Sequence, residues 1–90
     1  MKCYIGDYVM CLEIGNYKDD IVEFLANNIG HIISINYAGQ YVVEFNNIPT
    51  EIFKHFDRNN CRKMDHREII RRSTSLEDLE ISLNIIKYNL

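Results

Sequence analysis

The sequence predicts an α+β domain that is mainly β, with five short strands followed by one C-terminal helix. Two observations carry this. Residues 29–45 read as a hairpin. Ile29-Gly30-His31-Ile32-Ile33-Ser34-Ile35 is rich in β-branched side chains, Tyr37-Ala38-Gly39-Gln40 is a short loop with a glycine available for positive φ, and Tyr41-Val42-Val43-Glu44-Phe45 returns. Residues 75–90 instead repeat leucine and isoleucine at helical spacing, behind hydroxyls and acids that suit a helix start.

The other elements follow in chain order. Gly6-Asp7 opens a first strand, in which Tyr8, Met10, Leu12 and Ile14 alternate with Val9, Cys11 and Glu13 until Gly15-Asn16 closes it. Between Tyr17 and Asn28, Asp19 and Asp20 suit the cap of a short helix with Ile21, Phe24 and Leu25 on one side; a long loop over the sheet fits the same residues. Asn46-Asn47-Ile48-Pro49 is a turn cluster, and Thr50 to Phe56 fit one or two helical turns anchored by Ile52, Phe53 and Phe56. After a turn at Asn59-Asn60, Cys61-Arg62-Lys63-Met64 reads as a short strand with Cys61 and Lys63 on one face and Arg62 and Met64 on the other. Asp65-His66-Arg67-Glu68 suits a turn or a single 3₁₀ turn, and Ile69-Ile70-Arg71-Arg72 a last short strand. In the tail, Thr74 with Glu77 or Ser75 with Asp78 makes a capping box, and Glu77, Asp78, Glu80 and Lys87 are distributed as the helix dipole favours.

Composition narrows the classes. Ninety residues make one domain, and a hydrophobic fraction of 47% is that of a folded chain. A net charge of −3 gives no global attraction to nucleic acid or anionic membrane. No apolar run approaches the ~20 residues that cross a bilayer, and the N-terminus lacks a signal-peptide core. Three cysteines are too few and too odd for a disulfide framework, so a reducing, cytoplasmic setting is expected.

The order of these elements resembles a small bacterial or phage SH3-like barrel, including the KOW type. The matching pieces are Gly6-Asp7-Tyr8-Val9, then Ile29 to Ile35, then Tyr41 to Phe45, then Cys61 to Met64 and Glu68-Ile69-Ile70, covering about residues 4–72. The resemblance implies a five-stranded barrel over 1–74, entered sharply at Gly30; the helix over 75–90 lies outside it and is expected to pack on the barrel or at a dimer interface.

Charge is the clearest surface signal. Residues 54–72 hold seven basic side chains (Lys54, Arg58, Arg62, Lys63, Arg67, Arg71, Arg72) against three acids, while the remaining residues hold three basics and ten acids. That segment could contact phosphates or an acidic protein, or pair with acids on neighbouring elements. Cys61, Asp65 and His66 contain the residue types of thiol catalysis, but adjacency in sequence supplies neither a nucleophile–base contact nor an oxyanion site; a core-facing cysteine and a surface histidine suit them as well. His55, Cys61 and His66 with Cys3 or Cys11 lack the tight knuckle of a zinc site. Tyr4, Tyr8, Tyr17, Tyr37 and Tyr41 are numerous for a peptide groove, yet tyrosine is also common in strands and no tryptophan accompanies them.

The tail carries two apolar stripes, Leu76, Leu79, Leu83, Ile86 and Leu90 on one and Ile81, Ile85 and Tyr88 on the other. One stripe suffices to dock on the barrel. The candidate dimer interface is therefore Ile81, Leu83, Ile85, Ile86, Tyr88 and Leu90, according to which stripe faces out. The functional expectation is a non-catalytic protein-interaction module without metal or cofactor, in the manner of a phage or mobile-element inhibitor of a host protein, such as an anti-CRISPR or other anti-defence factor. The alternative is a nucleic-acid-binding module using the basic 54–72 face.

Overall fold

The computed structural model describes residues 2–12 and 19–88. Its strands are β1 (Tyr8–Cys11), β2 (Ile29–Ile35), β3 (Tyr41–Glu44), β4 (Cys61–Met64) and β5 (Ile69–Ser73), and its helices are α1 (Asp19–Asn27) and α2 (Leu76–Tyr88). All ladders are antiparallel, in the order β4-β3-β2-β1-β5. The five-stranded sheet and the C-terminal helix agree with the sequence. Among the described residues no ladder joins β4 to β5, so the sheet remains open where the SH3-like resemblance implies a closed barrel.

The hairpin forms as expected, except that its return strand ends at Glu44, one residue before Phe45. Its loop closes through Gly39 N–H to the Asn36 carbonyl at 3.0 Å, with Gly39 at φ 81°. The Asn36 side-chain oxygen accepts from the backbone of Ala38 and Gln40 and locks the turn. A bulge interrupts the register between Ile32 and Ser34, and another lies between Met10 and Cys11. The first strand ends sooner than the alternation suggested, at Cys11. Leu12 leaves the strand, although its N–H still reaches the Glu68 carbonyl at 2.7 Å. The rest of that predicted strand, with its Gly15-Asn16 close, lies outside the described residues.

The open choice for the segment before the hairpin resolves to a helix. In α1, Ile21, Phe24 and Leu25 sit at i, i+3 and i+4 and are all buried. Near its start, Ile21 N–H donates to Asp20 Oδ1 at 2.8 Å. At its end the side-chain amides of Asn27 and Asn28 donate to the carbonyls of Glu23 and Phe24, satisfying acceptors that a helix end leaves open.

Period-two alternation divides the sheet into two apolar faces. Val9, Cys11, Ile32, Val43 and Met64 point to α1 and form the main core with Phe45, Ile52 and Ile69. Tyr8, Met10 and Ile29 point the other way and pack with Leu79 and Leu83 of α2. In β4 the expected facing holds by register: Arg62 and Met64 oppose the buried Val43 and Tyr41, while Lys63 and Cys61 oppose Val42 and Glu44.

Two expectations need correction. Phe53 does not anchor the segment Thr50–His55. That stretch is a 3₁₀ helix whose buried residue is Ile52, and Phe53 is about half exposed. Phe56 follows it in extended conformation, so the turn rather than a helical repeat sends its ring into the edge-to-face cluster with Phe24 and Phe45. At the start of α2, Asp78 receives its hydrogen bond from Ser73 Oγ at 3.2 Å rather than from Ser75, and Ser75 N–H donates to that same Ser73 oxygen.

Gly30 is fixed by space. A Cβ there would overlap Val43 Cγ1 and stand 2.9 Å from the Phe45 ring, where β2 crosses the main core. Gly30→Ala is expected to lower unfolding free energy by about 1–3 kcal/mol, the usual cost of overpacking a core. Urea denaturation followed by circular dichroism measures it.

Candidate functional site

The seven basic residues, continuous in sequence, are not continuous in space. Arg62 and Lys63 occupy β4 and Arg71 and Arg72 occupy β5, and these are the two edges of the sheet, with three strands between them in the ladder. Within each pair the strand alternation sends neighbouring side chains to opposite faces. Arg62 opposes Val43 on the main-core side, and Lys63 opposes Val42 on the other. Arg72 opposes Val9, and Arg71 opposes Met10 on the α2 side.

Four of the seven are also engaged within the chain. Arg62 Nη1 donates to the His55 carbonyl at 2.6 Å. Arg71 Nη1 reaches Ser82 Oγ at 3.2 Å, tying β5 to α2. Arg67 lies 3.9 Å from Asp65, an exposed and weak pair. Arg72 Nη1 donates to Asp7 Oδ2 at 3.0 Å, and Asp7 is almost fully buried. Lys54, Arg58 and Lys63 are exposed and make no salt bridge among the described residues. They sit on the 3₁₀ segment Thr50–His55, the 3₁₀ turn Arg58–Asn60 and β4. Lys54, Arg58, Arg62 and Lys63 thus lie on or beside the β4 edge and Arg71 and Arg72 on the β5 edge, so the segment does not form one seven-residue track. Placing paired cations in mid-edge has a structural consequence too, since charged edge strands resist pairing with another sheet.

The Asp7–Arg72 pair closes the N-terminal turn. Asp7 N–H donates to the Tyr4 carbonyl across a turn whose third residue, Gly6, has φ 96°, and Tyr4 N–H returns to Asp7 Oδ2 at 2.9 Å. The exposed Tyr4 ring has Arg72 at 5.5 Å and Lys2 at 5.7 Å from its centroid. Asp7→Ala and Arg72→Ala are each expected to destabilise by about 1–3 kcal/mol, because each leaves part of a buried polar pair unsatisfied. The double variant should fall short of the sum, and a urea double-mutant cycle reads the coupling.

The thiol constellation does not assemble. Cys61 is buried at the start of β4 and its Sγ donates to the Asn59 carbonyl at 3.4 Å. His66 follows the other end of that strand, beyond a span of about 10 Å from Cys61 to Met64. Burial pushes the Cys61 thiol above its ordinary value, and the carboxylates of Glu44 and Asp57 push it further, opposite to the shift that a nucleophile needs. Cys3 is raised by burial first and by Asp7 second. Glu68 supports the turn at His66, its carboxylate accepting from Asp65 N–H at 3.0 Å. Both thiols should alkylate more slowly in the native protein than in urea at pH 8, as mass spectrometry can follow. The folded chain keeps these protons to higher pH than the unfolded chain does, so this contribution to stability is complete below about pH 8.5 and declines above it.

Among the described residues no three His, Cys, Asp or Glu side chains are grouped so as to hold a metal ion. No helix there is long and apolar enough to cross a membrane. The tyrosines do not share a groove. Tyr41 is buried and its hydroxyl accepts from Cys3 N–H at 2.9 Å, Tyr8 stacks on His31 at 4.6 Å, and Tyr37 is fully exposed at the hairpin loop. Tyr17 lies outside the described residues.

On α2 the structure chooses between the stripes. Leu79 and Leu83 are buried against Met10, so Leu83 belongs to the core and leaves the set of outward candidates. Ile81 and Ile85 are 59% and 56% exposed. At ~100° per residue they lie on the side of the helix away from Leu79 and Leu83. Ile86 and Tyr88 fall in the last turn of α2, and Leu90 lies outside the described residues.

One concave feature went unread in the sequence. A groove of about 430 Å³ runs between α1 and the segment before and within Thr50–His55, with Phe24, Pro49 and Ile52 as apolar lining and Asp20, Glu23, Asn27 and Asn28 as polar lining. The only signal for it was that α1, Asp19–Asn27, contains three acids and no basic residue; the approach of Pro49 and Ile52 is a tertiary fact. No protein-family model, curated protein or solved structure matches this chain.

Proposed function

We propose that this chain is a non-catalytic protein-interaction module that self-associates through the outer face of α2. The observation that carries the reading is the exposure of Ile81 and Ile85 opposite the packed stripe. Two isoleucines one turn apart form an apolar strip that a second copy of the same helix would cover. Two antiparallel copies of α2 would also oppose their helix dipoles.

The sheet order supports the SH3-like reading of the fold: a meander from β1 to β4 is followed by a 3₁₀ turn and a fifth strand that returns beside β1. A module of this kind acts by occupying a partner's surface, which is how a stoichiometric inhibitor of a host protein works. The division of the basic residues between two edges, with Arg62 and Arg72 engaged internally, favours protein over nucleic acid as the partner.

Sedimentation velocity at about 100 μM, well above the micromolar range of a modest interface, should show a dimer. Ile81→Glu with Ile85→Glu should give a folded monomer with an unchanged circular dichroism spectrum. A wild-type monomer at that concentration rejects the self-association. Salt-sensitive binding to bare nucleic acid at near-physiological salt would put the nucleic-acid reading in its place.

A further inference from the structure

We infer that the groove between α1 and the Thr50–His55 segment receives an arginine side chain from an extended segment of a partner protein. This deepens the interaction-module reading but uses a surface other than the α2 face, so it stands or falls independently of the dimer.

The floor of the groove is apolar and held in place. Ile52 is almost completely buried and Phe24 nearly so. The Phe24 ring meets Phe45 and Phe56 edge to face at 5.8 and 5.7 Å, which fixes it from behind. A ligand stem laid on this floor meets a surface that is already ordered, so little conformational freedom is lost on binding.

The polar lining is rich in acceptors. Asp20 and Glu23 supply carboxylates, and among the described residues no basic side chain lines the groove. Asn27 and Asn28 each commit a side-chain N–H to an α1 carbonyl, at 2.8 Å in both cases, while their amide oxygens make no hydrogen bond among the described residues. The complement is a cation with several donors on an apolar stem. Arginine meets this better than lysine. Its guanidinium is planar, offers five N–H donors in a fixed fork, and lies flat on apolar or aromatic surface while its methylenes cover the floor. A cavity of about 430 Å³ is large enough for that side chain and part of the backbone that bears it.

The probe is a blocked five-residue peptide with one central arginine, titrated into the ¹⁵N-labelled full chain and followed by amide chemical shifts. The matched control carries citrulline, which keeps the shape and removes the charge. Saturable shifts are expected at Glu23–Asn28 and at Ile52. Binding should weaken at least about fivefold with citrulline, the change that one partly exposed charge pair of about 1 kcal/mol supports. Asp20→Asn with Glu23→Gln should have a similar effect; Asn keeps the acceptor that Ile21 uses, and an unchanged remainder of the spectrum reports an intact fold. Equal affinity for the two peptides, unchanged binding by the double variant, or no saturable shift in the groove overturns the inference. None of those results bears on the dimer, which sedimentation tests by itself.

Discussion

The ion pair between Asp7 and Arg72 is the constraint on which the rest of the arrangement depends. It joins positions 65 residues apart and places the N-terminal turn on the last strand. One carboxylate oxygen serves both the Tyr4 N–H and the guanidinium, so the turn and the β1–β5 contact share one acceptor. With β5 beside β1, Met10 on one face and Val9 on the other both gain cover. The second small core under α2 then follows, because α2 is connected to β5 by a very short link. Burying a carboxylate is costly unless it is matched, and here the match comes from an arginine whose other side is open to water and stacks by an exposed tyrosine.

That use of Arg72 changes how the basic segment is understood. Its members answer to different local demands. One neutralises a buried acid, one ties a strand to a helix, one braces a loop carbonyl, and the remainder stay in solvent. The mid-strand pairs also lie where an open sheet is most exposed to unwanted strand addition. An open five-stranded sheet has two such borders, and both carry an adjacent pair of cations. A charge asymmetry of this kind serves solubility as directly as it could serve recognition.

Local periodicity made much of this fold legible. The hairpin from Ile29 followed from β-branched alternation and from a glycine in the loop, and the facing of Cys61 to Met64 followed from the same period of two. The short turn before β5 was readable as a break between two strand-like runs, but the Asp65 N–H to Glu68 carboxylate bond that closes it was not. What the sequence did not disclose depends on partners distant in the chain. Which strands are edges depends on the ladder order, so Arg62 and Arg71 look like neighbours in a list yet belong to opposite borders. Leu83 and Ile81 are both apolar residues of one helix, and only the position of Met10 decides which is core. The groove beside α1 was hidden for a similar reason: Pro49 reads as a turn residue until the main core brings it beside Phe24.

The place of β1 inside the sheet bears on how the chain is made. One of its neighbours, β2, follows within a few tens of residues, but the other, β5, is the last in chain order of the five strands described. At a ribosomal rate of about 5–20 residues per second, roughly 3–13 seconds separate the emergence of Asp7 from that of Arg72. Throughout that interval one side of β1 has no strand to pair with and the Asp7 carboxylate has no guanidinium. The nascent chain thus carries an open border on β1 until β5 is made, and that border is then covered by the same strand that brings Arg72 to Asp7.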